Sequence, residues 1–137
     1  MKSINCKGRL INFSTPKVMG ILNVTPNSFF DGGKYNSTNK LEEQARKMLD
    51  EGADIIDLGA YSTQPNAPFV SEEEELNRTI PAVQQLVAAF PNIILSIDTF
   101  RAEVAKQALE NGAAIINDVS AGLLDEQMMQ VVGAFKV

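Results

Sequence analysis

Four polar side chains stand out because of what precedes them. Asn23 follows the apolar run Val18–Leu22, Asp57 follows Ile55–Ile56, Asp98 follows Ile93–Ile97, and Asn117 follows Ala114–Ile116. A carboxylate only accepts hydrogen bonds, whereas a side-chain amide offers two donors and an acceptor. Asp98 and Asn117 together can therefore read the edge of a planar ring that carries N–H groups and a carbonyl. The amide oxygen of Asn23 can ligate Mg²⁺, or its N–H₂ can hold an anion. Taken singly, each of the four is explained by a turn or a cap. Taken together, beside two polar loops, they point to a site.

The first loop, after Asn23, holds Thr25, Asn27, Ser28 and Asp31 and ends on Gly32-Gly33. The second runs Gly59–Ala67 and holds Ser62, Thr63, Gln64, Pro65 and Asn66. Hydroxyls and free backbone N–H groups beside a glycine suit an oxyanion such as phosphate. Neither GxGxxG nor GxxxxGK[ST] occurs, so these are not dinucleotide or P-loop phosphate sites. Of the adjacent Phe29 and Phe30, one is available to cover a ring.

The elements that must position these groups are legible. Ile4–Cys6 and Leu10–Phe13 flank Lys7-Gly8-Arg9 and predict a short hairpin. Val18–Leu22, Ile55–Leu58, Ile93–Ile97 and Ala114–Asn117 predict four strands. Helices are expected between them. One spans Asn39–Gly52, with Asn39 and Glu42 as a capping box and Leu41, Ala45, Met48 and Leu49 on one face. The next spans Ser71–Phe90, with Ser71 and Glu74 as a second box, a stripe of Leu76, Ile80, Val83 and Val87, and a kink or split at Pro81. Its acidic run Glu72–Glu75 reads as helix-start charge facing solvent. A third is capped by Thr99, runs to Gly112 and turns Val104, Ala105, Ala108 and Leu109 inward; a fourth is capped by Asp125 and runs through Val132. Gly52–Asp57 and Gly112–Asn117 repeat one pattern of glycine, alanine and paired isoleucines ending in a polar residue. Strands without polar alternation are buried on both faces, which predicts a parallel sheet under helices. The class is α/β, either a doubly wound sheet or part of a barrel, and in both the ligand edge is the C-terminal end of the strands.

Composition narrows the chemistry. The chain has 137 residues, a net charge of −5, no histidine and one cysteine. An acidic chain without a basic cluster is not a nucleic-acid binder. Without histidine, any metal must be a hard ion on oxygen ligands. Cys6 reads as an inert thiol. No stretch matches a signal peptide or a membrane span, so a cytoplasmic protein is expected.

With these residues in place a resemblance becomes specific. Met19–Gly33 is similar to the first signature of the dihydropteroate synthase family, and Gly59–Ala67 to the second. Ser96–Thr99 and Ile115–Asp118 resemble its third and fourth strand ends. The resemblance implies a TIM (β/α)₈ barrel, of which residues 1–137 would be the N-terminal part, about four βα units after the hairpin. It implies condensation of 6-hydroxymethyl-7,8-dihydropterin pyrophosphate with p-aminobenzoate to 7,8-dihydropteroate and pyrophosphate in folate biosynthesis, an activity targeted by sulfonamides. It further implies that Asp98 and Asn117 hold the pterin and that Asn23 ligates Mg²⁺ at the leaving pyrophosphate. Thr63, with Gln64 beside it, would meet the diphosphate region. Phe29 and Pro65 would shape the p-aminobenzoate pocket, and Asp57, Asp31, Thr25 and Ser28 would support the site. The full-length protein would be a homodimer.

The pattern also departs from the family. Gln64 stands where arginine is usual, Asn66 where glycine is usual, and Asn27 where aspartate is common. A barrel needs about 250 residues, and the family's lysine-bearing loop and Arg-x-His do not occur. The segment alone is therefore expected to be inactive and monomeric only with difficulty. A methyltetrahydrofolate-type pterin-binding methyltransferase would share Asp98 and Asn117. A non-catalytic pterin-binding domain is the other alternative.

Overall fold

The structure is a computed structural model that describes residues 2–24, 36–60 and 69–137, with the side chains of 36–39 left aside. Strands β1 (Ser3–Cys6) and β2 (Arg9–Asn12) pair as an antiparallel hairpin. Their two-residue turn places both Lys7 (φ 49°) and Gly8 (φ 85°) in the left-handed region, the backbone of a type I′ turn that matches strand twist. Lys7 Nζ reaches the carbonyl of Leu109 at 2.6 Å and tethers the hairpin to the rest of the fold.

Four parallel strands follow: β3 (Met19–Asn23), β4 (Ile55–Gly59), β5 (Leu95–Asp98) and β6 (Ile115–Asn117), neighbours in that order. Between and after them run α1 (Asn36–Asp50), α2 (Glu72–Ala89), α3 (Ala102–Glu110) and α4 (Met128–Phe135). Leu22, Ile56, Leu58, Leu95 and Ile97 point to one side, where they share a single buried cluster with Leu41 and Ala45 of α1, Ala82, Val83 and Leu86 of α2, and Ala108 and Leu109 of α3. The helices thus cover one face of the sheet. That winding belongs to a barrel, since a doubly wound sheet carries helices on both faces. The other face stays more open: Met19 is 40% and Ile21 is 66% exposed.

Several boundaries differ from the sequence expectations. Helix α1 begins at Asn36, so Asn39 lies within it; the side chain of Asn39 is outside the described residues, and Glu42 accepts a hydrogen bond from Gln85 at 3.0 Å. Helix α2 is capped by Ser71, whose hydroxyl accepts from the N–H of Glu74 at 3.2 Å, while the carboxylate of Glu74 pairs with Arg78. The helix continues through Pro81 as one element. Pro81 and Asn77 are both exposed, so the carbonyl that loses its donor can be hydrated. Its buried stripe is Glu75, Thr79, Ala82, Val83 and Leu86, with Leu76, Ile80 and Val87 only half-buried at its margin. Thr99 does not cap α3. The first free N–H of that helix, from Ala102, is taken by Asp125 Oδ2 at 2.7 Å. The other oxygen of Asp125 accepts from the N–H of Gln127, which holds the N-cap position of α4, so Asp125 caps α3 and not the helix that follows it, and α4 ends at Phe135 beyond Val132.

The repeated pattern is structural. Gly52 (φ 107°) and Gly112 (φ 114°) terminate α1 and α3. In each case the glycine N–H bonds three residues back (to Leu49, to Leu109) and the next alanine bonds five back (to Met48, to Ala108). This double closure satisfies carbonyls that the helix end would otherwise strand.

Candidate functional site

Register aligns the rim. Asn23 pairs with Gly59, Gly59 with Asp98, and Asp98 with Asn117. In-register residues of parallel strands point to the same side, so Asn23, Asp98 and Asn117 form one row at the C-terminal ends of three strands. Gly59 is the gap in that row. A Cβ there would lie 3.3 Å from Asn23 Oδ1 and 3.7 Å from both Cβ and Oδ2 of Asp98. Asn23 and Asp98 therefore flank an open floor that any larger residue would narrow.

Asp57 was expected at a strand end and is not. Strand β4 continues two residues to Gly59, so Asp57 sits one layer deeper, 4% exposed. Its Oδ2 accepts from Asn117 Nδ2 at 3.0 Å. Because a carboxylate only accepts, this contact fixes the amide with its N–H₂ toward Asp57 and its oxygen away from it.

Burial pushes the Asp98 carboxyl above its usual range, assisted by the nearby charges of Asp57, Glu75 and Asp118. Glu75 is the residue that sequence reasoning misplaced. It is 1% exposed rather than solvated. Its Oε1 accepts from the hydroxyl of Thr99 at 2.7 Å, and Oε2 forms an ion pair with Arg101. Arg101 also donates to the carbonyl of Val70 at 2.7 Å. The pair closes the first turn of α2 onto the residue that follows Asp98. The signal was faint: four consecutive glutamates conceal that the fourth lies one turn above Thr79 on the inner stripe. Asp118 organises the bend after β6, accepting from the N–H and hydroxyl of Ser120 and the N–H of Gly122 at 2.7–2.8 Å.

Thr25, Ser28, Phe29 and Asp31 of the first loop, and Thr63, Gln64 and Pro65 of the second, lie outside the described residues. The backbone at Ala60 and Val70, on either side of the second loop, is held by Arg78 and Arg101 respectively. Among the described residues no group of three His, Cys, Asp or Glu side chains could cage a metal. Asn23 Oδ1, on the rim beside Gly59, is a hard neutral oxygen that could hold a metal. That suits Mg²⁺, which keeps most of its shell as water and phosphate oxygens.

Comparison with known proteins agrees with this arrangement. The family described as "Pterin binding enzyme" matches residues 19–137. The chain is 51% identical over 119 residues to a dihydropteroate synthase of Staphylococcus haemolyticus, covering 87% of this chain and 44% of that protein. It is 52% identical over 118 residues to a mitochondrial folate synthesis bifunctional protein of Arabidopsis thaliana, covering 84% of this chain and 21% of that one. The structure of Xanthomonas albilineans dihydropteroate synthase with 4-aminobenzoic acid superposes with a TM-score of 0.87 at 40% identity, over 100% of this chain and 50% of that one. The chain thus spans half or less of the length of these relatives, and its fold is part of their barrel.

Proposed function

This chain belongs to the pterin-binding enzyme family, and we propose that it supplies the pterin- and pyrophosphate-handling part of a dihydropteroate synthase. The observation that carries the reading is the row of Asn23, Gly59, Asp98 and Asn117 at one rim. Its acceptors suit the N–H edge of a 2-amino-4-oxo pyrimidine ring, and the gap at Gly59 leaves room beside Asn23 for a phosphate group. The likeness to proteins named for dihydropteroate synthesis, at about half sequence identity, favours this substrate over methyltetrahydrofolate.

In this reading Asp98 and Asn117 orient the pterin of the dihydropterin pyrophosphate. The bond between its exocyclic carbon and the pyrophosphate oxygen breaks, leaving a cation spread over the ring. The half-buried carboxylate of Asp98 favours that charge where water would dilute the interaction. The arylamine of p-aminobenzoate then forms the new C–N bond and loses its proton. An aniline nitrogen is a free base at neutral pH, so this step needs no histidine. Asn23 would hold Mg²⁺ by its amide oxygen, and the ion when bound neutralises the departing pyrophosphate. Thr63 would contact the diphosphate region, and Phe29 and Pro65 would shape the p-aminobenzoate pocket, with Thr25, Ser28 and Asp31 supporting them.

Turnover of dihydropterin pyrophosphate with p-aminobenzoate and Mg²⁺ by the full-length protein tests the reading. Binding of methyltetrahydrofolate in place of the pyrophosphate substrate would refute it. Gln64 adds a second test. A glutamine there lacks the charge-assisted contact that arginine makes to an anion. Gln64→Arg in the full-length protein is expected to lower KM by several-fold or to alter inhibitor affinity; unchanged kinetics and inhibition would show that position 64 is neutral.

A further inference from the structure

Beneath the rim row lies a second tier. Asp57 and Ser96 are register partners on β4 and β5, so their side chains stand side by side on the inner face. Ser96 is 0% and Asp57 4% exposed. Oδ2 of Asp57 receives the Asn117 amide, but Asp57 Oδ1 and Ser96 Oγ are both buried without a hydrogen-bond partner among the described residues. Leaving such atoms unpaired carries the full cost of their lost hydration. The two are complementary, because a hydroxyl is a rotatable donor and an ionised carboxylate is an acceptor. They do not bond each other directly, and both are shut off from bulk solvent, so a single water between them is the partner small enough to reach both.

We infer that Ser96 is a positioning residue for the ring-binding row: its hydroxyl donates to Asp57 Oδ1 through one bridging water, and holds the carboxylate so that Oδ2 keeps the Asn117 amide in a single orientation. The consequence is selectivity. An amide can turn over with little change in shape, exchanging its oxygen for its N–H₂. With the N–H₂ tied to Asp57, the atom left for a ligand is the oxygen of Asn117, beside the carboxylate of Asp98. The row then selects a heterocycle edge with adjacent N–H donors and penalises one that presents acceptors. This rests on the pterin reading for its ligand, but the hydrogen-bond chain stands without it.

The test uses the full-length protein, first without ligand. Ser96→Ala is expected to move the side-chain amide signals of Asn117 toward free-amide positions in ¹H–¹⁵N spectra and to speed their exchange about tenfold or more, because a bond to a charged acceptor is lost. It should also lower Tm. Ser96→Thr keeps the hydroxyl and is expected to restore both. If Ser96→Ala does not fold, the near-isosteric and weaker donor of Ser96→Cys carries the same measurements. Unchanged amide signals, or a Tm that stays or rises, would mean an idle hydroxyl and overturn the inference. A folded Ser96→Thr that behaves like Ser96→Ala would also overturn it, by assigning the effect to packing. Binding of 6-hydroxymethylpterin is then expected to weaken about tenfold in Ser96→Ala and recover in Ser96→Thr. If the wild-type protein does not bind that pterin, the proposed substrate fails while the amide result remains.

Discussion

Asp98 is held where ionisation is disfavoured, and that has a signed consequence. Its carboxyl is pushed above the ordinary value of 3.8 by burial and by the charges of Asp57, Glu75 and Asp118. The native state therefore binds the Asp98 proton more tightly than the unfolded chain does. Stability linked to this group is present in full below the unfolded pKa and is lost as pH rises through the raised native one. Asp98→Asn is accordingly expected to raise Tm at pH 7, with the advantage fading as pH falls toward 3.8; a pH-independent gap would contradict this. The same substitution should weaken pterin binding by tenfold or more, since a charged acceptor contributes roughly 1.5–3 kcal/mol. Gly59 offers a contrasting case. A Cβ at this position presses on Asn23 Oδ1 at 3.3 Å and only touches Asp98 at 3.7 Å. On the proposed reading, Gly59→Ala in the full-length protein should therefore reduce turnover and raise the Mg²⁺ requirement while leaving pterin affinity within about twofold, a split that titration against each ligand would reveal. Asn23, Asp98 and Asn117 were legible as a group because a polar residue closing an apolar run has little reason to be there except a turn or a ligand. The depth of Asp57 was legible only through the family resemblance and not in the run itself, because nothing in Ile55–Leu58 says that the strand continues to Gly59. Nor was Ser96, whose small hydroxyl is compatible with either face of a strand.

Helix ends carry the next level of prediction. Gly52 and Gly112 make the same chain reversal, but a Cβ on Gly52 would meet nothing within 4 Å, whereas one on Gly112 would approach Val87 at 3.0 Å. Gly52→Ala is expected to cost about 1–2 kcal/mol from backbone strain alone. Gly112→Ala should cost distinctly more, since it also pushes α2 away from the end of α3; denaturant unfolding of the two variants measures the difference. The Glu75–Arg101 pair is a stronger fastening. Glu75→Ala would remove the buried carboxylate that pairs with Arg101, whose side chain is 11% exposed, at a cost of roughly 3–5 kcal/mol. Replacing both residues with apolar ones of similar volume should cost much less, and equal losses for the single and double variants would argue against a buried pair. Strand and helix order could be read in advance because each apolar run and each glycine stop acts locally. The capping of α3 by Asp125 could not, because that contact spans 23 residues and depends on how the bend after β6 folds back. Glu75 misled for a related reason: a charged residue at a helix start is ordinarily solvated, and only the approach of Arg101 makes its burial tolerable.

At the scale of the molecule, each outer strand of the parallel sheet, β3 and β6, is paired on one side, and the inner face leaves Met19 40% and Ile21 66% exposed. An apolar cavity of about 560 Å³ lies between the hairpin and β6, lined in part by Ile4, Cys6, Ile115, Ile116 and Val132. Such edges and apolar faces are normally covered. The 137-residue chain by itself is therefore expected to give no measurable turnover and to associate at micromolar concentration in sedimentation; a catalytically active monomer would contradict this. Strand order has a further consequence, during synthesis. Each of β4, β5 and β6 pairs with the strand made immediately before it, so the sheet never has to wait for a distant partner. A growing chain emerges at about 5–20 residues per second, so each of these strands leaves the ribosome after the neighbour it pairs with. Asn23, Gly59 and Asp98 would then all be outside the ribosome before Asn117 emerges, so that β6 finds the neighbour it needs already available.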